Sequence, residues 1–262
     1  MREQGPMIDL HCHILPSMDD GARDLGTALN MARIAVSDGV AGIVCTPHIL
    51  PGLYHNTGSR IFAAIAGLRD ALSQSNIALD LFSGADAHMA PHFIDKIESG
   101  KILTLAHSRY VLVEPPHHIA PIRLEQFFFE LLAANYVPIL THPERLMWLP
   151  DRFDTIKYLV RSGVWMQITA GSLLGKFGRR SNYWAERMLD EGIVHVIASD
   201  AHDDSWRPPD LSLARKAASR WVGQDETTNL VSTRPRGVIE NVAASDLPPP
   251  PALSIPPLSI PA

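Results

Sequence analysis

The chain is poor in cysteine: Cys12 and Cys45 are the only two among 262 residues, and each lies inside an apolar run. That argues against a disulfide framework and suits a reducing compartment, so the expectation is a cytoplasmic protein. Long apolar runs are missing too. No stretch reaches the ~18 consecutive apolar residues of a membrane span. The opening Met1-Arg2-Glu3-Gln4-Gly5-Pro6 carries charge with no apolar run behind it, which predicts neither a signal peptide nor membrane insertion. Positive charge is scarce, with 23 Lys and Arg against 28 Asp and Glu and a formal net charge of -5. Scattered in this way, the basic residues form no stripe of the kind nucleic acid requires, and a polynucleotide partner is disfavoured. What the chain does have is 46% hydrophobic residues, enough for a sizeable core in one or two domains.

Seven strand-like runs recur along the sequence: Met7 to Leu10, Ala41 to Thr46, Ile77 to Ser83, Tyr110 to Glu114, Val137 to Thr141, Val164 to Thr169 and Val194 to Ser199. Several are continuously apolar, as strands covered on both faces are. Amphipathic stretches separate them, at Leu25 to Ser37, Ser59 to Ser73, Pro121 to Ala134, Phe153 to Arg161 and Tyr183 to Glu191. Gly39, Gly163 and Gly192 follow such stretches, where a left-handed residue commonly ends a helix. Regular alternation of strand and helix predicts a parallel α/β fold, and about seven units suit a TIM-like barrel. Further helices are expected from Leu211 to Trp221 and from Thr227 to Val242, the latter broken near Pro235. From Asp246 the density of proline predicts an extended, disordered tail, leaving one domain over 1–245 and a tail over 246–262.

In a parallel barrel the loops after the strands converge on one face. The first strand ends in His11-Cys12-His13, and side chains at i and i+2 of an extended chain lean the same way. Asp20 follows in the next loop, His48 comes after strand two and Asp86 after strand three. Glu114 closes strand four, His142 and Glu144 follow strand five, and Asp200 and His202 follow strand seven. Polar groups repeated at strand ends do not serve a core, because burying each without a partner costs roughly 1 to 3 kcal/mol. Imidazole with carboxylate suits Mn, Fe or Zn, and the donors outnumber what one ion can use. Adjacent ions sharing a carboxylate are typical of phosphate-ester hydrolysis.

Six segments in sequence order carry a family resemblance: Asp9 to Pro16, Asp19-Asp20-Gly21, Thr46-Pro47-His48, His142-Pro143-Glu144-Arg145, Ala170 to Gly178, and Ala198-Ser199-Asp200-Ala201-His202. They resemble the PHP (polymerase and histidinol phosphatase) superfamily, and within it the manganese-dependent protein tyrosine phosphatases of the CpsB/CapC type. The resemblance implies a distorted (β/α)7 barrel with three metals, Mn first and Fe, Zn, Co or Mg as alternatives. One ion would sit on His11, His13, Asp86 and Asp200, a second on Asp86, Glu114 and His142, and a third on Asp20, His48 and His202. Asp86 stands where the family usually has the longer Glu. Arg145 and Arg207 match arginines that hold the substrate phosphate or stack near its ring.

The activity so implied is hydrolysis of a phosphomonoester, first of all protein phosphotyrosine on an autokinase of capsule or exopolysaccharide synthesis, by a hydroxide that the ions hold. His48 and His202 are candidates for moving the proton. A small-molecule phosphatase such as histidinol phosphatase, a nucleotide phosphoesterase and an inactive metal-binding scaffold are the alternatives; a homo-oligomer is left open. A thiolate phosphatase is disfavoured, since it needs Arg six positions after its Cys, whereas Cys12 is followed there by Met18 and Cys45 by Pro51. His107, His117, His118 and His195 lie outside the motifs and are expected at the surface or satisfied in the core. His88 and His92 follow Asp86 closely but are read as no part of the site. Glu144 is read as orienting an imidazole or Arg145, and Asn56 as a helix cap.

Overall fold

The computed structural model describes residues 5–254. Among them lie strands β1 (Met7–Cys12), β2 (Val40–Cys45), β3 (His48–Leu50), β4 (Tyr54–His55), β5 (Asp80–Ser83), β6 (Asp86–His88), β7 (Tyr110–Glu114), β8 (Val137–Thr141), β9 (Trp165–Thr169) and β10 (Val196–Ala198). The helices are α1 (Leu25–Ser37), α2 (Gly58–Gln74), α3 (Phe93–Glu98), α4 (Leu124–Ala133), α5 (Leu149–Arg161), α6 (Ala170–Leu173), α7 (Gly178–Asp190), α8 (Ser212–Thr228), α9 (Arg234–Ile239) and α10 (Pro251–Ser254).

Ten strands make seven positions of a ring because two positions are broken and β4 lies outside it. β2 and β3 are halves of one strand, parted at Thr46-Pro47, and β5 and β6 are halves of the next, parted at Gly84-Ala85. Gly84 is required there: a Cβ would stand 2.7 Å from Val44 Cγ1. The first halves continue the parallel order β1-β2-β5, and the second halves join β10-β9-β8-β7-β6-β3, with β4 folding back antiparallel on β3. The ends meet where Cys12 bridges Ala201 in parallel, Asp200 N–H donates to His11 O at 2.8 Å, and His13 N–H to Ala201 O at 2.8 Å. The expected seven-unit barrel is thus present, distorted by its two broken strands.

Alternation along the strands sorts side chains into two layers. Ile8, Leu10, Tyr110, Leu112, Ile139, Trp165 and Val196 face inward and pack with Val238 and Leu247. Val111, Val113, Leu140, Met166, Ile168 and Ile197 face outward beneath helical stripes such as Ile61, Ile65, Leu68 and Leu72 of α2. Each such burial contributes about 1.5 to 3 kcal/mol. Helix α1 starts where Asp24 accepts from Thr27 N–H at 2.7 Å, an N-cap interaction.

The ends of several elements differ from expectation. α5 and α7 begin four and five residues earlier than the amphipathic pattern indicates, at Leu149 and Gly178, while β5 begins only at Asp80. The short α3 and α6 and the β3–β4 hairpin carry too little periodicity to be read from sequence. After α8, a wide turn over Asn229–Thr233 leads into α9, whose first turn accommodates Pro235. The tail needs correction. Through Ser254 it is packed: Leu247 lies against Gly237, Pro248 O accepts from Arg234 Nε at 2.7 Å, and Ala252 N–H donates to Gly192 O at 3.0 Å. Proline excludes ladder bonding but not docking through carbonyls and apolar side chains. Residues 255–262 lie outside the described residues.

Candidate metal centre

The ring is apolar where its strands begin and polar where they end. At the end of β1 the pairing with β2 shifts register between Asp9 and Cys12. His11 and His13 stand beside each other there, their Nε2 atoms 3.1 Å apart. Each ring is fixed from behind, as metal-binding imidazoles usually are. His11 Nδ1 meets Gln167 Oε1 at 2.8 Å, and His13 Nδ1 meets Asp19 Oδ2 at 2.7 Å. The Asp19 carboxylate also accepts from His48 N–H at 2.8 Å and from Gly21 N–H at 2.9 Å. Glycine is needed at 21, since a Cβ would lie 2.2 Å from His13 O. Behind His11, the buried carboxylate of Asp9 accepts from Ser199 N–H at 3.0 Å, and burial pushes its pKa up to about 6.

The remaining donors close around this pair. Asp200 Oδ1 is 3.5 Å from both His11 Nε2 and His13 Nε2, while Asp86 Oδ2 is 3.6 Å from His11 Nε2. His142 Nε2 stands 3.6 Å from Glu114 Oε1, and its ring lies 5.8 Å from that of His11. Asp20 Oδ1 is 3.6 Å from the Nε2 atoms of both His48 and His202. His48 turns its other nitrogen to Asp86 Oδ2 at 3.1 Å and Glu114 Oε2 at 3.4 Å. Donor atoms thereby gather as His11, His13 and Asp200; as His11, Asp86 and His142; and as His13, Asp20, His48 and His202. All nine residues singled out from sequence meet at one mouth. His13 also adjoins the third group, which sequence alone did not indicate.

The spacing fits coordination. Two ligands each about 2.1 Å from an ion, at ordinary coordination angles, stand roughly 3.0 to 3.5 Å apart. Several donors have nothing else to bind: both oxygens of Asp86, Glu114 Oε2, His48 Nδ1 and His142 Nδ1 are buried without a hydrogen-bond partner. The backbone is bent to bring two of them in, with φ of 34° at His142 and 51° at Asp200, an arrangement costing about 1 to 3 kcal/mol per residue.

Electrostatics tie the cluster together. Burial disfavours charge on His13, but the Asp19 and Asp200 carboxylates outweigh it and hold the ring well above its ordinary pKa. Burial likewise opposes ionisation of Asp200, yet His11 and Arg207 hold it well below the carboxylate range. Burial and then the neighbouring His13 lower His202 to about 2, leaving a neutral ring suited to ligation. Arg145 Nη1 and Arg207 Nη2 both donate to Asp200 Oδ2, at 2.8 and 2.7 Å. One oxygen of Asp200 therefore faces the arginines and the other the imidazoles. Both guanidiniums lie over the Phe177 ring, 4.6 and 5.3 Å from its centre.

Other readings change. His88 and His117 both touch Glu114, the latter through Nε2 at 2.9 Å from Oε1. Glu144 orients no imidazole: its Oε1 accepts from Thr169 N–H at 2.9 Å, and burial pushes its pKa up to about 7. Asn56 caps no helix but donates to Met18 O and His48 O, both at 2.9 Å. His195 is satisfied in the core, accepting from Met166 N–H at 3.1 Å, and the exposed His92 pairs with Asp95. Gln167, Asp19 and Phe177 were missed; a lone Gln in an apolar strand was the available signal for the first. Burial pushes the Cys45 thiol up to about 12 and Cys12 well above its usual value, so neither offers a thiolate.

The chain is similar to known proteins. A family model described as capsular polysaccharide synthesis, CpsB/CapC, matches residues 7–240. The tyrosine-protein phosphatase YwqE of Bacillus subtilis is 36% identical over 197 residues, covering 75% of this chain and 78% of that protein. The tyrosine-protein phosphatase CpsB of Streptococcus pneumoniae is 26% identical over 238 residues, covering 89% and 98%. A crystal structure from work on YwqE from Bacillus subtilis and CpsB from Streptococcus pneumoniae, described as unique metal-dependent tyrosine phosphatases, superposes with a TM-score of 0.87 at 32% identity. It covers 93% of this chain and 98% of its own. A 5-methylcytosine deaminase from Klebsiella pneumoniae shares the fold alone, with a TM-score of 0.54 at 14% identity. The chain belongs to the CpsB/CapC family of capsular polysaccharide synthesis.

Proposed function

We propose that the chain is a metal-dependent protein-tyrosine phosphatase that acts in the cytoplasm on an autokinase of capsule or exopolysaccharide synthesis, with Mn as its resident metal. The observation that carries this reading is the convergence of His11, His13, Asp20, His48, Asp86, Glu114, His142, Asp200 and His202 at one mouth, beside two arginines. The names of its relatives support the same activity.

Divalent ions held by these donors supply Lewis acidity that polarises phosphoryl oxygens and makes water acidic enough to act as a nucleophile near neutral pH. The chain supplies the rest. Arg145 and Arg207 provide planar, permanently charged forks for an incoming phosphate, held flat against Phe177. Arg207 Nε is a buried donor without a partner, suited to a phosphoryl oxygen. His48, stacked on the Tyr54 ring, and the neighbouring His202 line the same mouth, where they bind and position. A tyrosine phenolate, with an unperturbed pKa of ~10, leaves with modest proton assistance.

The test compares turnover of a phosphotyrosyl peptide, a phosphoseryl peptide, histidinol phosphate and a nucleotide diester, with Mn, Fe and Co each supplied. Preference for the phosphotyrosyl peptide is the expected result. Preference for histidinol phosphate or the diester would move the reading to a small-molecule enzyme. Absence of turnover with all three metals would leave a metal-binding scaffold.

A further inference from the structure

Three short sequences of the same form stand at the mouth: His11-Cys12-His13, Asp86-Ala87-His88 and Asp200-Ala201-His202. In the first and third, both outer residues reach the donor cluster. The second belongs to β6, where side chains two apart share a face of the strand. His88 pairs in register with Glu114 of β7, so the two side chains are neighbours across a parallel ladder.

Glu114 is surrounded by imidazoles. His88 Nε2 contacts its Oε2, to which His48 Nδ1 also comes within 3.4 Å. On the other oxygen lie His117 Nε2 at 2.9 Å and His142 Nε2 at 3.6 Å. Of these only the His117 contact has hydrogen-bond geometry, and Oε2 is buried without a hydrogen-bond partner. Donor atoms of His48, His88 and Glu114 gather as closely as those of the groups described above. A carboxylate oxygen ringed by nitrogen atoms that do not align as hydrogen bonds is what a shared cation organises.

We infer that His88 is a further protein ligand of the metal centre, to an ion held on the Oε2 side of Glu114, an assignment that rests on the functional reading above. His48 then binds with Nε2 on the side of Asp20, its Nδ1 turned toward Asp86 Oδ2 at 3.1 Å. His117 acts from outside as a positioning residue, its hydrogen bond fixing the direction of Glu114. The centre has ten protein ligands in this arrangement, two of which, Asp86 and His88, come from β6.

The experiment measures metal content and affinity in the full chain, by elemental analysis after gel filtration and by competition with a chromophoric chelator for Mn, Zn and Co. His88→Gln retains a donor for Glu114 but not an imidazole; His88→Ala retains neither; His92→Gln, at an exposed position, is the control. The expected result is loss of about one ion per chain, or a more than tenfold weaker weakest site, in both His88 variants. Their Co spectra should change, and the control should match wild type. His88→Gln with wild-type stoichiometry and affinity would overturn the assignment and reduce His88 to a hydrogen-bonding role. Wild-type protein that binds no ion would overturn the functional reading itself, so the two failures are distinguishable.

Discussion

The two ends of the ring are built by the same strands under opposite rules. At the floor, where the strands begin, even the polar groups are paired. Tyr110 Oη donates to Val242 O at 2.9 Å. The fully buried Arg234 meets Glu226 at 2.7 and 3.1 Å, with Pro248 O and His195 O taking its other donors. At the mouth, pairing is incomplete. Among the described residues, every buried side-chain nitrogen or oxygen without a partner belongs to this end: His48, Asp86, Glu114, His142, Glu144, Gln167, Thr169, Ser172 and Arg207. Each such atom costs about 1 to 3 kcal/mol. The floor therefore carries stability, and the mouth gives some of it up to keep donors available to ions and phosphate.

That contrast can be broken from either side. The largest effect is expected at the mouth: His11→Ala or Asp200→Ala should lower phosphotyrosine turnover by more than about a thousandfold with the circular-dichroism spectrum unchanged, following loss of transition-state electrostatics. Chelation should do the same to wild type, reversed by Mn. Substitution at the floor should invert the pattern. Arg234→Ala leaves the largely buried Glu226 with Asn229 Nδ2 but no positive charge beside it, and denaturant melts should show a loss of about 3 to 5 kcal/mol, with turnover per folded molecule retained. A smaller effect follows from Arg145→Lys, which keeps charge but loses the fork; a loss of about 1.5 to 3 kcal/mol, roughly ten- to a hundredfold in kcat/KM, is expected in steady-state kinetics.

The smallest effect sharpens the comparison through pH. Burial, and then Arg234, hold His195 well below the ordinary imidazole pKa. The unfolded chain then binds a proton at this residue below about pH 6.5 that the folded chain does not, so stability falls as pH drops below that value. His195→Gln, which can still accept from Met166 N–H, should flatten the acid side of a stability profile measured by urea melts between pH 7.5 and 5.

Legibility in sequence followed the same division. Strand alternation and helix stripes are local, so β1, β7, β8 and α1 were visible, and the candidate donor positions came with the strand ends once a barrel was inferred. The splitting of β2 from β3 and of β5 from β6 was not visible, because it depends on Gly84 approaching Val44 and Thr46 across strands. Packing of Leu247 against Gly237 was hidden for the same reason: proline content sets what the tail cannot do, and only the fold supplies the surface it docks on. His88 looked incidental because its partner, Glu114, lies on another strand, and His117 because the turn that brings it back onto Glu114 three residues earlier has no signal in the local sequence. Gln167 and Asp19 act through an imidazole, so spacing alone did not reveal them.

The central claim is that the donors at the mouth hold adjacent ions. Anomalous diffraction from a crystal loaded with Mn tests it most directly. The account predicts neighbouring peaks at His11, His13 and Asp200, at Asp86, Glu114 and His142, and at Asp20, His48 and His202. A crystal of active enzyme with its Mn peaks elsewhere on the molecule, and none at this mouth, would contradict it.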